Sequence, residues 1–165
     1  MHFGDFLYLC AKFAFKVNNK IKIMATLDLT KYGITGSKVI RDNPGKLVIY
    51  VSLHLDASGS DGQWHSANGW SVRVSPKASQ KSKILAGCLY DAAKASGLRV
   101  RQPTAKQKYW EQSLYVLNET PCPAVLTENL FMDNVDDKAL LMSDAGRHII
   151  ERVHIEGILK FIDSL

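Results

Sequence analysis

A mostly apolar, β-branched run, Leu47-Val48-Ile49-Tyr50-Val51-Ser52-Leu53, constrains the fold of this 165-residue chain more than any other feature. A strand with one solvent-facing side alternates apolar and polar residues, and this run does not. The run therefore predicts a strand that is buried on both faces, as in a parallel sheet covered by helices.

Helical and extended patterns alternate along the rest of the chain. Residues 80–96 carry apolar residues on one helical face and end at Gly97. Asn134 is a suitable N-cap for a short helix. Further segments complete the pattern: helices at 6–32 and 145–162, and strands at 37–41, 70–74 and 124–127. The alternation predicts an α/β fold, a twisted, mostly parallel sheet flanked by helices on both faces. The length suits one domain, residues 1–165.

Composition narrows the classes of partner. The net charge of +5 suits an anionic partner, but the basic residues are scattered and form no stripe with interleaved aromatics, so specific nucleic-acid binding is not expected. The three cysteines form no CxxC pair, which argues against a disulfide framework and against a cysteine zinc site.

The sequence contains no clear export or membrane signal. No apolar run approaches the roughly 20 residues of a membrane span. Residues 1–10 are apolar, but they lack a basic start and carry Asp5, so they are poor as a signal peptide. The localisation and the oligomeric state are left open.

Two polar residues stand where predicted buried strands end. His54 follows the run that ends at Leu53, and Glu128 follows the strand 124–127. Ligands of open α/β sheets gather at the carboxyl ends of strands, so the two side chains are expected to face one crevice if their strands are parallel neighbours. An imidazole and a carboxylate together suit metal-assisted hydrolysis. Each residue also has a structural interpretation, as a hydrogen-bonded histidine or an ion-paired glutamate.

The residues around both positions resemble one enzyme family. Ser52-Leu53-His54-Leu55-Asp56-Ala57 resembles the S-x-H-x-N/D-A motif of the zinc-dependent N-acetylmuramoyl-L-alanine amidases. Residues 124–134, with Glu128 at the end of a strand, resemble their second motif. Residues 61–64, 67–72 and 146–158 resemble an insertion and a closing helix of related amidases and phage endolysins. The resemblance covers residues 47–165.

The resemblance implies a function, a cofactor and roles for both residues. The implied reaction hydrolyses the amide between N-acetylmuramic acid and L-alanine in peptidoglycan, so the implied partners are the stem peptide and muramic acid. The family holds one Zn²⁺ with two His and one Glu, and a second Glu is the general acid and base. Carried over by position, His54 is a metal ligand and Glu128 is the catalytic residue.

The N-terminal third departs from the family pattern. No Gly-His-Gly segment follows a strand, and the nearest match is Met1-His2-Phe3-Gly4. Ala14 stands where the family has its metal-binding Glu. The segment 37–41 is too close to Leu47 for a parallel crossover between two strands. It is therefore either not a strand of the same sheet, or it pairs antiparallel with the strand at Leu47–Leu53. The N-terminal strand is expected to be missing, zinc binding to be weak and amidase activity to be low.

Other polar and aromatic residues have two interpretations each. His65 lies in a loop where it contacts either substrate or solvent. Trp64 and Trp70 either stack on sugar faces or are buried, and burial is expected. His154 is expected to be a hydrogen-bonded histidine at the core edge, and His148 with Glu151 a surface pair. The alternative function is a catalytically inactive amidase-like domain that binds peptidoglycan. A third alternative is an unrelated α/β protein, which a large separation of His54 and Glu128 would favour.

Overall fold

The structure is a computed structural model, in which the chain divides into two compact units, Met1–Pro44 and Gly45–Leu165. It describes residues 16–17, 21–22, 41–42, 44–45 and 47–165. Each unit is treated by itself below.

The described part of the first unit contains a short hairpin. Strands β1 (Lys16–Val17) and β2 (Ile21–Lys22) pair antiparallel, with Val17 opposite Ile21. The helix expected over residues 6–32 is therefore wrong at these positions. Val and Ile favour strands, and the sequence Asn-Asn-Lys that separates the pairs is rich in turn formers. The rest of that helix lies outside the described residues.

Only the last residue of the predicted strand 37–41, Arg41, is among the described residues. Arg41 is helical, together with Asp42, so the strand does not extend that far. Residues 37–40 lie outside the described residues, as do His2, Ala14 and the N-terminal strand expected to be missing. Pro44 and Gly45 lie in the expected turn.

The second unit is built on a mixed four-stranded sheet with the order β3-β6-β4-β5. Parallel pairing joins β3 to β6 and β4 to β5, whereas β4 and β6 are antiparallel. The strand bounds are Tyr50–Asp56 for β3, Ser71–Val74 for β4, Trp110–Glu111 for β5 and Ala124–Phe131 for β6. The α/β class is confirmed, because helices flank this open sheet as predicted.

Four helices accompany the sheet: α1 Gln80–Ala95, α2 Tyr115–Asn118, α3 Val135–Met142 and α4 Asp144–Asp163. Three of them begin at a side-chain cap of the expected kind. Ser79 caps α1, Asn134 caps α3 by accepting from two backbone N–H groups, and Ser143 caps α4. No helix among those described combines the length and apolar character of a membrane span.

The central strand β6 separates two packing layers. Helices α1 and α4 pack together and α1 also packs against the sheet, so that Leu85, Leu89, Val125, Val153 and Phe161 are fully buried. Side chains alternate along a strand, so Ala124 and Leu126 face the other way. There they pack against Leu117 of α2 and against Tyr50. Beyond Leu126 that second face becomes polar.

Two backbone features position the carboxyl end of β6 and the start of β4. The β3–β6 register shifts between His54 and Asp56, and Leu130 takes φ +73° beside this bulge. Gly69 has φ +103°, and a Cβ there would lie 2.7 Å from the carbonyl oxygen of Arg99. The Asp137 carboxylate accepts from the backbone N–H groups of Gly69, at 2.7 Å, and Phe131, at 2.9 Å.

The close approach of α1 and α4 gives a first testable prediction. A Cβ on Gly157 would lie 2.7 Å from Cδ2 and 2.8 Å from Cα of Leu89, so Gly157→Ala should destabilise the fold by about 1–3 kcal/mol through overpacking. The matched control is Gly87→Ala within α1, where no atom lies within 4 Å of the new Cβ. That change should stabilise by about 0.5–1 kcal/mol. Urea unfolding of both variants measures the difference, and equal effects would contradict this packing.

Candidate active site

The polar part of the second sheet face carries the candidate site. Partners in neighbouring strands point to the same face, as do residues two apart along one strand. Six side chains are placed there in this way, and together they are called the polar face: Ser52, His54 and Asp56 from β3, Glu128 from β6, and Ser71 and Arg73 from β4.

The two residues selected from the sequence are direct neighbours on this face. His54 is paired with Glu128 in the parallel β3–β6 register. Neighbouring strands lie about 4.8 Å apart, so the two residues are close together. The large separation that would favour an unrelated α/β protein is not observed. The His54 side chain is exposed, whereas that of Glu128 is only 12% exposed. The imidazole and the carboxylate therefore lie next to each other on one sheet face, as expected.

Arg73 holds the acidic groups of the polar face in place. Its guanidinium lies 3.1 Å from Oε1 of Glu128 through one nitrogen and 3.1 Å from Oδ2 of Asp56 through the other. The first nitrogen also donates to Oγ of Ser71 at 3.4 Å. The second carboxylate oxygen of Glu128, Oε2, is buried without a hydrogen-bond partner among the described residues. One oxygen of Glu128 is thus fixed and the other is left for a proton or a ligand.

The environment of Glu128 brings its proton affinity close to neutrality. Burial disfavours the charged carboxylate and raises the pKa of Glu128 to about 7. The positive charge of Arg73 opposes this rise, and the negative charge of Asp56 adds to it. A carboxyl group with this pKa can both accept and release a proton near pH 7, which is the requirement for general acid–base catalysis.

His54 is held in its neutral form. Its Nε2 lies 2.9 Å from Oγ of Ser52, two residues earlier on the same strand. Removal of water from around the ring lowers the pKa of His54, and the charge of Arg73 lowers it further. A neutral imidazole can accept a hydrogen bond or coordinate a metal through one ring nitrogen.

A buried hydrogen-bond chain fixes the strands under the polar face. Trp70 Nε1 donates to Oδ1 of Asn129 at 2.8 Å, and Nδ2 of Asn129 donates to Oγ1 of Thr127 at 3.2 Å. The same amide donates to the His54 carbonyl at 3.1 Å. Thr127 Oγ1 lies 3.0 Å from Nε2 of His154, whose Nδ1 lies 2.8 Å from the Ile150 carbonyl oxygen. A carbonyl can only accept, so His154 carries its proton on Nδ1, and its Nε2 accepts a hydrogen bond from the Thr127 hydroxyl.

The sequence carries the signature of a known family over most of its length. A family model described as N-acetylmuramoyl-L-alanine amidase matches residues 28–160. The chain belongs to the N-acetylmuramoyl-L-alanine amidase family. The polar face with Glu128 and His54 therefore lies within a domain of this family, as the motifs around both residues indicate.

Two relatives of this amidase-family chain carry the names endolysin and probable cell wall amidase. It is 32% identical over 121 residues to an endolysin of Bacillus phage SPP1, and the matched region covers 73% of this chain and 42% of the endolysin. It is 27% identical over 115 residues to a probable cell wall amidase of Staphylococcus epidermidis, covering 70% of this chain and 35% of that protein. The chain thus spans less than half the length of either relative.

Solved amidase structures share the fold. The N-acetylmuramoyl-L-alanine amidase of Clostridium difficile 630 superposes with a TM-score of 0.61 and 25% identity, covering 70% of this chain and 58% of that one. An N-acetylmuramyl-L-alanine amidase of Mycobacterium smegmatis gives a TM-score of 0.65 at 22% identity, covering 91% and 66%. The second likeness concerns the fold alone.

The other residues weighed from the sequence are held in place by neighbours. Trp70 is fully buried and His154 is hydrogen-bonded in the core, both as expected. His148 and Glu151 form the expected exposed pair at 3.0 Å. His65 Nε2 lies 3.0 Å from Oδ1 of Asp61, so this histidine is tied into its own loop. The expected burial of Trp64 is wrong, because this residue of the same loop is 57% exposed, and its ring lies under the ammonium group of Lys138.

Sequence reasoning missed Arg73 and the role of Asp56. A usable signal was present, because Arg73 is the charged residue of Ser-Val-Arg-Val, a strand that is otherwise buried. A charge in such a strand needs a partner. Its partners are on β3 and β6, which lie far away in sequence.

A catalytic zinc ion needs three protein ligands and keeps a fourth position open. On the polar face, Nε2 of His54 already lies 2.9 Å from Oγ of Ser52. Oε2 of Glu128 is buried, and the guanidinium of Arg73 lies beside that carboxylate as a competing cation. Within the described part of the chain, no three His, Cys, Asp or Glu side chains are grouped so that they could hold a metal. These residues alone do not fit Zn²⁺.

The raised pKa of Glu128 predicts a pH-dependent stability. An acid whose pKa is higher in the folded state favours folding below its unfolded pKa of about 4.5, and this contribution is lost as the pH rises through about 7. Glu128→Gln, which cannot ionise, should therefore be more stable than the parent at pH 8, by about 1–3 kcal/mol, and nearly equal to it at pH 4. Urea unfolding at both pH values tests this. A Gln variant that is less stable at pH 8 would show that the Arg73 pair outweighs burial.

Proposed function

We propose that this chain hydrolyses the amide bond between N-acetylmuramic acid and L-alanine in peptidoglycan. Membership of the amidase family supports the reaction class. The observation that carries the proposal is the pairing on one sheet face of Glu128, with a pKa near 7, and neutral, exposed His54. The chain covers only part of its relatives, so the activity, the substrate and the site at the cell wall are proposals for this chain.

Glu128 is proposed as the acid and base of the reaction. Its carboxylate takes a proton from a water molecule whose oxygen attacks the lactyl carbonyl carbon. It then gives that proton to the nitrogen of L-alanine as the C–N bond breaks. The products are a carboxylic acid on muramic acid and a free amine on the stem peptide. The unpartnered Oε2 is the oxygen that supports this role, because Arg73 occupies Oε1.

His54 is proposed as the metal ligand that this part of the chain supplies. Its side chain is exposed and neutral and lies on the same face as Glu128. Zn²⁺, when bound in this family, supplies a Lewis acid for the attacking water and the carbonyl. The described residues do not complete such a site, so we propose that zinc binds weakly and that the hydrolytic rate is low.

The proposed partners are the stem peptide and muramic acid of the bacterial wall. The named relatives, an endolysin and a probable cell wall amidase, support a substrate of this kind. The alternative, a domain that binds peptidoglycan without cutting it, shares the same face and the same partners. It differs only in the role of Glu128, so one substitution separates the two.

Replacement of Glu128 tests the catalytic proposal. Glu128→Gln should reduce the turbidity loss of purified cell walls by about 100-fold or more, because acid–base groups contribute roughly 10²–10⁴ to rates. The control is Glu119→Gln, an exposed carboxylate at the end of α2, which should leave the rate unchanged. Wall binding without lysis by the parent protein would favour the binding-only alternative.

The metal content tests the proposed zinc site. The protein, dialysed against metal-free buffer, should retain well below one Zn²⁺ per chain in elemental mass spectrometry, because a single imidazole and a carboxylate paired with Arg73 are a poor ligand set. His54→Ala should lower the zinc taken up at micromolar metal, whereas His148→Ala, an exposed histidine on α4, should not. One tightly bound zinc per chain would refute weak binding.

A further inference from the structure

A cavity of about 400 Å³ borders the polar face at Asp56, Ser71 and Arg73. Its walls combine charged and aromatic groups: Asp56, Arg73, Arg101, Trp110, Glu111 and Phe131. Aromatic walls with a few placed polar groups are typical of ligand sites. The cavity contains Arg73 and Asp56, so it is continuous with the ion pairs that hold Glu128.

Arg101 is held rigidly at this cavity while most of its donors stay available. The carbon of its guanidinium lies 4.7 Å from the ring centroid of Phe131, and its backbone N–H donates to the Trp70 carbonyl at 2.8 Å. Its ion pair with Oδ2 of Asp56 is long, at 3.7 Å. This guanidinium donates no hydrogen bond to another described residue, and its side chain is 37% exposed. A planar, pre-positioned guanidinium with free N–H groups suits a carboxylate.

The two arginines of the cavity differ in how fully their positive charge is paired within the protein. Arg73 is engaged by Glu128, Asp56 and Ser71, and its side chain is only 17% exposed. Its charge is used within the protein. The other carboxylate at the cavity, Glu111, lies 3.5 Å from Lys83 and is balanced by it. Arg101 is therefore the group at this cavity that can bind an anion from outside.

The position of Arg101 relative to Glu128 suggests which anion it binds. Charges alternate along the row Glu128, Arg73, Asp56 and Arg101, with contacts of 3.1, 3.1 and 3.7 Å. A peptide whose scissile amide lies at Glu128 and that continues along this row into the cavity therefore reaches the guanidinium of Arg101.

We propose that the cavity is the stem-peptide subsite and that Arg101 binds a carboxylate on the residue after L-alanine. The inference rests on the proposed substrate but not on catalysis. Trp110 and Phe131 supply the apolar walls for the peptide, and the guanidinium of Arg101 forms a bidentate, charge-assisted pair with the carboxylate. The chain then distinguishes wall peptides that carry a free carboxylate at this position from those in which it is amidated.

Binding of a matched pair of ligands tests the subsite. The probes are N-acetylmuramoyl-L-alanyl-D-isoglutamate and its carboxamide, N-acetylmuramoyl-L-alanyl-D-isoglutamine, measured by isothermal titration calorimetry on Glu128→Gln protein so that neither is cut. The affinity for the acid should be higher than the affinity for the amide by about tenfold or more, because one charge-assisted pair contributes at least that factor. Arg101→Gln should remove this difference and Arg101→Lys should reduce it. Arg152→Gln, which removes an exposed α4 charge, should preserve it.

The outcomes separate this inference from the proposed reaction. Equal affinities of the parent for acid and amide, a preference that persists in Arg101→Gln, or binding of neither probe would overturn the subsite. Wall hydrolysis that depends on Glu128 but shows no acid preference would leave the reaction intact and remove the subsite alone. Acid binding through Arg101 without any hydrolysis would support the subsite and remove the reaction.

Discussion

The pairing register of β3 with β6 is the constraint on which the candidate site depends. His54 lies beside Glu128 only in this register, and a slip of one residue would turn one of the two to the opposite face. The register is enforced from below, because Asn129 donates to the His54 carbonyl and is itself held by Trp70. Buried polar groups that are fully hydrogen-bonded specify one arrangement strongly.

The electrostatics of the polar face follow from the placement of one arginine. Arg73 lies between Glu128 and Asp56, so two carboxylates can share a small, largely buried space. Without this cation, the two carboxylates would repel each other, and no opposite charge would compensate for their lost hydration. The fold therefore positions an acid with a pKa near 7 within an ion-paired row. The same cation makes the row unfavourable for a metal ion, so the ion pair between Arg73 and Glu128 supports the proposed weak binding of zinc.

Local sequence patterns predicted much of the fold and the central pair of the site. The apolar run that includes Val51 predicted a strand, but β3 lies at the edge of the described sheet and its residues are half-buried or exposed, so it is not buried on both faces. The cap at Asn134 marked the start of α3. The role of Arg73 was not predictable from local pattern, because its partners depend on β4 lying beside β6. The extension of β6 to Phe131 was also missed, since the bulge at Leu130 continues the pairing past the apparent end of the strand. The hairpin at residues 16–22 shows how helical periodicity can compete with β-branched residues.

The backbone at Gly69 has a consequence for how domains of this kind can diversify. The loop before it is exposed over residues 57–64, so insertions and deletions there displace no core atom. At Gly69 itself a positive φ and a carbonyl 2.7 Å from any added Cβ exclude every other residue type without backbone movement. Variation in length is thus tolerated up to one fixed exit point, beyond which the chain enters β4 in a single geometry. Evolution or design can remodel the rim of the crevice through this loop while Arg73 stays beside Glu128.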